Sequence, residues 1–355
     1  MNVRDIRGTI PVRPGEAFDV EAVARYLAER VEGWPEGPLE VVQFPTGASN
    51  LTYLIQSGER IAVLRRPPLG PLPPKAHDMQ RESAILARLH PVFPLAPRPL
   101  VFCDDPAVIG GPFYVMEYRP GVVLDTSFPD GVPSDADACR RISEAFVDAL
   151  VQLHAVDPAA SGLSAFGRPE GFLQRQVTGW IERYHRAKTD EIPEIDRLTR
   201  WLAANVPESH AATVIHNDYK LNNLIVARER PWEITAIVDW EMTTVGDPLF
   251  DLGVALSYWT QADDPEELRG ILPTVTPAPG FFTRGQLIER YAAKSGRDVS
   301  GMEFYQVFAY FKLAVILQQI YVRWVRGQTQ DPRFSSFGHR VRTLVAHAAA
   351  HVKNG

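Results

Sequence analysis

The chain has 355 residues, of which 45% are hydrophobic and 23% charged, and its formal net charge is −6. This composition predicts a folded chain with a large apolar core and excludes a disordered polypeptide. The 37 basic residues form no run or stripe, which argues against a nucleic-acid partner, because such partners need clustered phosphate contacts.

Three short runs near the N-terminus predict consecutive antiparallel strands. LEVVQF (39–44), LTYLI (51–55) and RIAVLR (60–65) are rich in β-branched and aromatic residues and are separated by the turns PTGASN and QSGE. MQRESAILARLH (79–90) has a rough helical period, and two further strand-like runs, RPLVFCDD and PFYVMEY, follow it. We expect an N-terminal lobe of antiparallel sheet plus helix over residues 1–118.

The turn RPG (119–121) marks the lobe boundary, and the chain beyond it, residues 119–355, is expected to be mostly helical. Ser134 and Asp137 have the spacing of a capping box at the start of the first of these helices. Residues 212–239 are the exception, with three short strand-like runs. The predicted class is α+β, with two lobes.

Residues 304–322 come closest to a membrane span, but Lys312 and Gln318 interrupt the apolar run, and a buried helix is the better interpretation. The N-terminus lacks the apolar region of a secretory signal. Two cysteines without Cys-x-x-Cys spacing suit a reducing compartment. We therefore expect a cytoplasmic protein with no membrane partner.

The polar loop HNDYKLNN (216–223) lies between the apolar runs VI and LIV, and a second aspartate, Asp239, follows Asp218 by 21 residues. A hairpin of this length is expected to bring Asp218, Asn223 and Asp239 to one end of the same small sheet. Two carboxylates and an amide oxygen suit Mg²⁺ bound together with substrate phosphates. The alternative is that both aspartates are turn formers and His216 is a satisfied core histidine.

The pattern His-x-Asp-x-x-x-x-Asn followed by VDW resembles the protein-kinase-like fold. Trp240 and the downstream GDPLFDLG (246–253) are similar to the aminoglycoside phosphotransferase and choline kinase-like family, over roughly residues 40–325. The resemblance implies ATP as phosphoryl donor, Asp218 as the catalytic residue and Mg²⁺ held by Asn223 and Asp239. It makes His216 and Asp251 structural supports.

The same resemblance implies a set of nucleotide-binding residues: Gly47, Ser49 and Asn50 in the phosphate loop, Arg65 and Glu82, and Glu117 and Tyr118 at the hinge. Arg65 stands where the family has lysine, and strand alternation sets it on the face opposite Arg66. A solvated Arg65-Arg66 pair is the alternative. No Walker-type motif occurs in the sequence.

The acceptor is the least specified part of this prediction. Residues 119–355 contain 29 acidic and 25 basic residues, a weak imbalance for a polycationic aminoglycoside. A different similarity is carried by three runs of the sequence, GASNLTYLI, VLRRPPLG and VIGGPFYVMEYRPG. They are more similar to kinase-like domains related to those fused to acyl-CoA dehydrogenases than to aminoglycoside phosphotransferases. This similarity implies that the acceptor is a hydroxyacyl compound or another small hydroxylated metabolite. An aminoglycoside phosphotransferase, an inactive pseudokinase binding module and a metal-dependent hydrolase remain alternatives.

Overall fold

The computed structural model describes residues 2–45, 50–70 and 77–352. The chain forms two compact units, one of Met1–Pro120 with Thr235–Glu241 and one of Gly121–Ile234 with Met242–Gly355. Residues 235–241, expected in the second lobe, thus belong to the first unit. The reason is local bonding within that unit, where the N–H of Ile237 donates to the carbonyl of Leu95 at 2.8 Å.

The first unit is built on a five-stranded antiparallel sheet. Its strands are β1 (Glu40–Gln43), β2 (Leu51–Ser57), β3 (Arg60–Arg66), β4 (Pro99–Cys103) and β5 (Phe113–Glu117). Their order in the sheet is β1-β2-β3-β5-β4. Leu51 lies opposite Arg66 and Ser57 opposite Arg60, so β2 and β3 form a continuous hairpin. All five strands coincide with runs that the sequence predicts.

Three helices accompany the sheet: α1 (Val20–Arg30), α2 (Met79–Leu89) and α3 (Pro106–Ile109). Helix α2 is the predicted one, whereas α1 was missed. Asp19 caps α1 by accepting the N–H of Ala22 at 2.9 Å, and Val23 and Leu27 are buried in the core beside the sheet. An aspartate followed by apolar residues at this spacing was the available signal.

The second unit is mostly helical, as expected. Its helices are α4 (Ala136–His154), α5 (Phe172–Ala187), α6 (Ile195–Ala204), α7 (Pro248–Ser257), α8 (Glu266–Ile271), α9 (Arg284–Ser295), α10 (Met302–Val325) and α11 (Phe337–Ala350). The capping box predicted for α4 is wrong. Asp135, not Ser134, is the N-cap, and its carboxylate accepts the N–H groups of Asp137 and Ala138.

Helix α10 is buried along most of its length, and Lys312 in its centre is only 5% exposed. This confirms the buried-helix interpretation of residues 304–322. Within the described ranges, no helix is long and apolar enough to cross a membrane.

The described residues contain five further, short strands: β6 (Val122–Val123), β7 (Thr213–Ile215), β8 (Leu224–Val226), β9 (Ile234–Ile237) and β10 (Thr244–Gly246). Strand β7 pairs antiparallel with β10, and β6 pairs with β8. Strand β8 lies between β6 and β9 in a three-stranded sheet, so the predicted hairpin that leads from the polar loop towards Asp239 is present. Strand β7, which precedes the loop, belongs to a separate two-stranded sheet with β10. The loop includes Asn217 at φ +66° and a 3₁₀ turn at Leu221–Asn223, which redirect the chain between the strands.

Candidate active site

The loop 216–223 is polar, and the strands on either side of it are apolar and buried. Val214 and Ile215 of β7 are fully buried, and Leu224 and Val226 of β8 are 1% exposed. The packing of these four side chains fixes both ends of the loop. The predicted combination of a polar loop and rigid apolar flanks is present.

Asp251 on α7 holds the start of this loop from within the protein. Its two carboxylate oxygens accept the backbone N–H groups of His216 and Asn217, each at 2.7 Å, and His154 Nε2 lies 3.2 Å from Oδ2. Burial acts to raise the pKa of Asp251, but the hydrogen bonds and charge of His154 and His216 outweigh it and hold the pKa below its ordinary value. Asp251 is therefore an ionised support for the loop, as the family resemblance implied.

Asp218 lies in the loop that Asp251 holds in place. Its side chain is 21% exposed, and Lys220 Nζ lies 2.8 Å from Oδ2. Its backbone N–H donates to Nδ1 of His216 at 3.3 Å, so His216 is a buried supporting residue. The carboxylate is thus oriented by neighbours yet remains accessible to a substrate. Lys220 was not singled out from the sequence, although the spacing Asp-x-Lys was a signal for it.

Asn223 faces Asp218 from the end of the loop. Its amide nitrogen donates to the carbonyl oxygen of Asp218 at 2.9 Å and to Oδ2 at 3.2 Å. With the nitrogen so engaged, the amide oxygen of Asn223 is the atom that could ligate a hard cation such as Mg²⁺.

In the first unit, Arg65 on β3 is buried between two carboxylates. Its Nη1 lies 2.5 Å from Glu82 Oε1 on α2, and its Nη2 lies 3.1 Å from Asp239 Oδ1. Burial alone would lower the pKa of Arg65, but the charge of Glu82 raises it. Burial raises the pKa of Glu82 to about 7, although Arg65 pulls it down. The predicted pairing of Arg65 with Glu82 is present.

Arg66, at the end of β3, does not occupy the solvated position that the alternative interpretation gives it. It is 6% exposed, and its Nε is buried without a hydrogen-bond partner among the described residues. Burial lowers the pKa of Arg66, while Tyr53 raises it. The alternative of a solvated Arg65-Arg66 pair is therefore wrong, because both side chains lie within the packed sheet.

Asp239 follows β9 in the left-handed conformation, at φ +69°. Aspartate is one of the few residues other than glycine that tolerate this region. The next residue, Trp240, is buried, donates its indole N–H to the carbonyl of Ile237 at 2.7 Å and packs against Phe93. These contacts fix the turn, so that Asp239 remains 32% exposed at the side chain while pairing with Arg65.

Asn50, predicted in the phosphate loop, is buried. Its amide nitrogen donates to Glu241 at 2.8 Å, and its oxygen lies 3.0 Å from His77 Nδ1. The other two predicted residues of that loop, Gly47 and Ser49, lie outside the described residues.

The predicted hinge residues lie at the end of β5. The N–H of Glu117 donates to the carbonyl of Arg98 at 2.9 Å, and its carboxylate accepts from Arg119 at 2.7 Å. Tyr118 is half-buried, and burial raises its pKa. The backbone N–H of Glu117 is thus engaged inside the unit. Contact of adenine with the other backbone groups of Glu117 and Tyr118 stays a prediction.

Across the described parts of the chain, no group of three His, Cys, Asp or Glu side chains forms a metal cluster. The predicted site consists of one amide and one carboxylate, Asn223 and Asp239, with the remaining ligands coming from phosphates and water. Their sharing of one Mg²⁺ stays a prediction.

An antiparallel five-stranded sheet with a helix, followed by a mostly helical unit, defines the α+β kinase-like fold. A thermostable mutant of the aminoglycoside phosphotransferase APH(4)-Ia, solved with AMP-PNP and hygromycin B, superposes with a TM-score of 0.61 at 15% identity, covering 94% of this chain and 99% of that one. The choline kinase of Cryptosporidium parvum gives a TM-score of 0.57 at 14% identity, over 93% and 98% of the two chains. At these identities the likeness shows the fold alone.

Within that fold, residues 40–278 match the model of the phosphotransferase enzyme family. The chain belongs to this family. A Ralstonia eutropha protein whose proposed activity is that of an aminoglycoside phosphotransferase is 30% identical, with a TM-score of 0.81 over 94% of this chain and 98% of that one.

Curated relatives include two acyl-CoA dehydrogenase family members. Mouse member 10 is 36% identical over 96% of this chain and 32% of its own length. Human member 11 is 32% identical over 94% of this chain and 43% of its own length. The chain therefore spans less than half of the length of each of these relatives, and is homologous to their kinase-like regions.

Proposed function

We propose that the protein is an ATP-dependent kinase that phosphorylates a hydroxyl group of a small metabolite. The observation that carries this proposal is the geometry of the loop 216–223, in which buried Asp251 fixes the backbone and Asp218 stays accessible. An oriented carboxylate within reach of solvent is what a substrate-positioning base requires.

In the proposed reaction, Asp218 orients the acceptor hydroxyl and accepts its proton. The hydroxyl oxygen bonds to the γ-phosphorus as the bond between that phosphorus and ADP breaks. Arg65 is proposed to contact the phosphates in place of the family's lysine, because its charge is permanent and its fork can bind two oxygens. Mg²⁺, when bound by Asn223 and Asp239, would neutralise charge on the phosphates.

The arrangement around Arg65 supports an active enzyme over a pseudokinase. Arg65 is held by Glu82 at 2.5 Å and by Asp239 at 3.1 Å, so the substituted cation is kept in a fixed position rather than lost to solvent. Asp218, Asn223 and Asp239 are all retained. The proposed catalytic residues are therefore all present in the sequence, with arginine in place of the family's lysine.

For the acceptor we propose a hydroxyacyl compound, with hydroxyacyl-CoA as the first candidate. Support comes from the curated relatives, which are named as acyl-CoA dehydrogenase family members and match nearly the whole of this chain. A kinase region in the same polypeptide as a dehydrogenase would be expected to act on a chemically related acyl substrate.

The test is a screen of acceptors with Mg²⁺ and ATP, with ADP release and mass spectrometry of the products as readouts. Hydroxyacyl-CoAs should give acceptor-dependent ADP and a product heavier by one phosphoryl group, whereas the matched acyl-CoAs without the hydroxyl should not. Asp218→Asn serves as the inactive control. Equal ADP release with and without acceptor would instead indicate a hydrolase, and nucleotide binding without ADP release would indicate a binding module.

A further inference from the structure

A lysine is buried in the middle of helix α10, where most neighbouring residues are apolar. Lys312 is 5% exposed, and its Nζ donates to the backbone oxygen of Asn217 at 3.1 Å and to Oδ1 of the same residue at 2.7 Å. The ring centroids of Phe250 and Trp180 lie 5.2 Å and 5.7 Å from Nζ. The proposed reaction assigns no role to this cation.

Burial of an ammonium group is costly unless it is paired. Burial lowers the pKa of Lys312 to about 8, against the opposing effect of Asp218 and Asp251, and Lys220 and Arg183 lower it further. Helix α11, which also lies against α10, directs His347 to Tyr310, with their ring centroids 4.6 Å apart. The charges that act on Lys312 thus come mainly from the loop 216–223 and from the aspartate that supports it.

The residue that Lys312 holds, Asn217, directly precedes Asp218 and has φ +66°. Its N–H donates to Asp251 at 2.7 Å, and its amide nitrogen donates to the carbonyl of Met242 at 3.2 Å. With Lys312 on both oxygens, each polar group of Asn217 has a partner. A left-handed residue is costly for a chain to maintain, and such full bonding is what keeps it in place.

We infer that Lys312 is a positioning residue for catalysis, which acts through Asn217 and makes the competence of Asp218 depend on whether the lysine is charged. This inference rests on the proposed role of Asp218. Loss of the proton removes one of three donors and the positive charge that faces Asp218 and Asp251. We therefore expect kcat to fall as the pH rises through about 8, while KM for Mg²⁺·ATP changes little.

The expected decrease in kcat at alkaline pH cannot be a result of lost stability, because the stability contributed by Lys312 changes with pH in the opposite direction. The pKa is depressed from 10.5 to about 8 in the folded chain, so the unfolded chain binds this proton more tightly. The resulting penalty on folding is present below pH 8 and disappears as the pH rises towards 10.5. Alkaline unfolding driven by Lys312 would thus be excluded as the cause of a loss of turnover.

The first experiment measures kcat and KM against pH for the wild type, Lys312→Met and Lys312→Arg, with Lys294→Met on the exposed face of α9 as the control. Lys312→Met should lower kcat by roughly 10-fold or more at neutral pH and abolish the alkaline fall. Lys312→Arg keeps the charge and should retain activity at pH 9. An unchanged kcat in Lys312→Met, or the same alkaline fall in all variants, would overturn the inference.

The second experiment needs no acceptor, so it separates failure of this inference from failure of the proposed function. The sequence has six lysines, few enough for their side chains to be followed by NMR in the full chain after selective isotope labelling. Lys312 should titrate near pH 8, and Asp218→Asn should lower its pKa further, because a charge that stabilises the ammonium is removed. Titration near 10.5, or no response to Asp218→Asn, would refute the coupling even if turnover is never observed. The wild-type titration remains decisive should Lys312→Met fail to fold.

Discussion

Asp218 and Asp239 have different partners, so neutralising each should have a different effect. Asp218 lies 2.8 Å from Lys220 Nζ, whereas Asp239 lies 3.1 Å from Arg65 Nη2. Asp218→Asn keeps the side-chain shape and should leave Mg²⁺·ATP affinity near that of the wild type, but lower turnover by about 10²-fold or more. Asp239→Asn replaces a charged ligand oxygen with a neutral amide and should weaken Mg²⁺·ATP binding itself.

Calorimetric titration of both variants with Mg²⁺·ATP, beside an ADP-release assay with the identified acceptor, decides this prediction. Lys220→Met is a useful companion, because it removes the charged partner of Asp218 described above without changing a proposed metal ligand. Full activity in Asp218→Asn would show that the catalytic assignment is incorrect.

At the scale of single residues, the sequence predicts those contacts that resemblance to a family can supply. The pairing of Arg65 with Glu82 and the support of the loop by Asp251 are of this kind. Lys312 reaches Asn217 from 95 positions away, and no local pattern indicates such a contact. A lysine within an apolar helical run nevertheless indicates a buried partner, because an unpaired charge there would be too costly.

At the scale of elements, several residues of the run GDPLFDLG have distinct structural roles at the start and within helix α7. Asp247 caps the helix by accepting the N–H of Leu249 at 2.8 Å, with Pro248 at the first position, and Asp251 lies one turn further on. Gly253 follows where α7 meets α10, and a Cβ atom there would lie 2.8 Å from the carbonyl oxygen of Tyr305. The glycine lets the two helices approach closely enough for Asp251 and Lys312 to act on the same loop.

This close approach predicts that Gly253→Ala is destabilising even though alanine favours helices. The added methyl group meets backbone, so α7 must shift away from α10, at a cost of about 1–3 kcal/mol. Denaturant unfolding measures this. Gly270→Ala in α8 is the matched control, because a Cβ there meets nothing within 4 Å, and it should leave stability unchanged or raise it. Equal effects of the two substitutions would contradict the packing argument.

Two short strands, β6 and β10, are not indicated by the sequence, whereas the similarly short β7 and β8 are marked by the apolar runs on either side of the polar loop. Strand β6 has two residues and β10 has three, too few for an alternating pattern to be distinguished from a loop. The hairpin of β8 and β9 was predictable, whereas the partner strands β6 and β10 that complete the two small sheets were not. The long runs of the first unit, each with several β-branched or aromatic residues, were predictable because their side chains alternate over a whole strand.

At the scale of the whole molecule, charge is the property that bears most on the acceptor. Residues 119–355 hold 29 acidic and 25 basic residues, and without Arg119, Asp239 and Glu241, which belong to the first unit, 27 acidic and 24 basic residues remain. A nearly balanced unit gives little long-range attraction for a polycation. It also opposes an anionic acceptor such as an acyl-CoA less than a strongly acidic unit would.

We therefore predict that aminoglycosides are not phosphorylated at a useful rate, although one similar protein of known structure has that proposed activity. Kanamycin-type acceptors should give kcat/KM below about 10⁴ M⁻¹s⁻¹, the low end for ordinary enzymes. The measurement is acceptor-dependent ADP release at low and at high salt, with a hydroxyacyl-CoA as the comparison. Salt weakens the attraction between opposite charges. If the rate with aminoglycosides is high at low salt and falls steeply as salt is added, the acceptor site is acidic although the overall charge of the unit is nearly balanced. Such a result would make aminoglycosides, rather than hydroxyacyl-CoAs, the preferred class of acceptor.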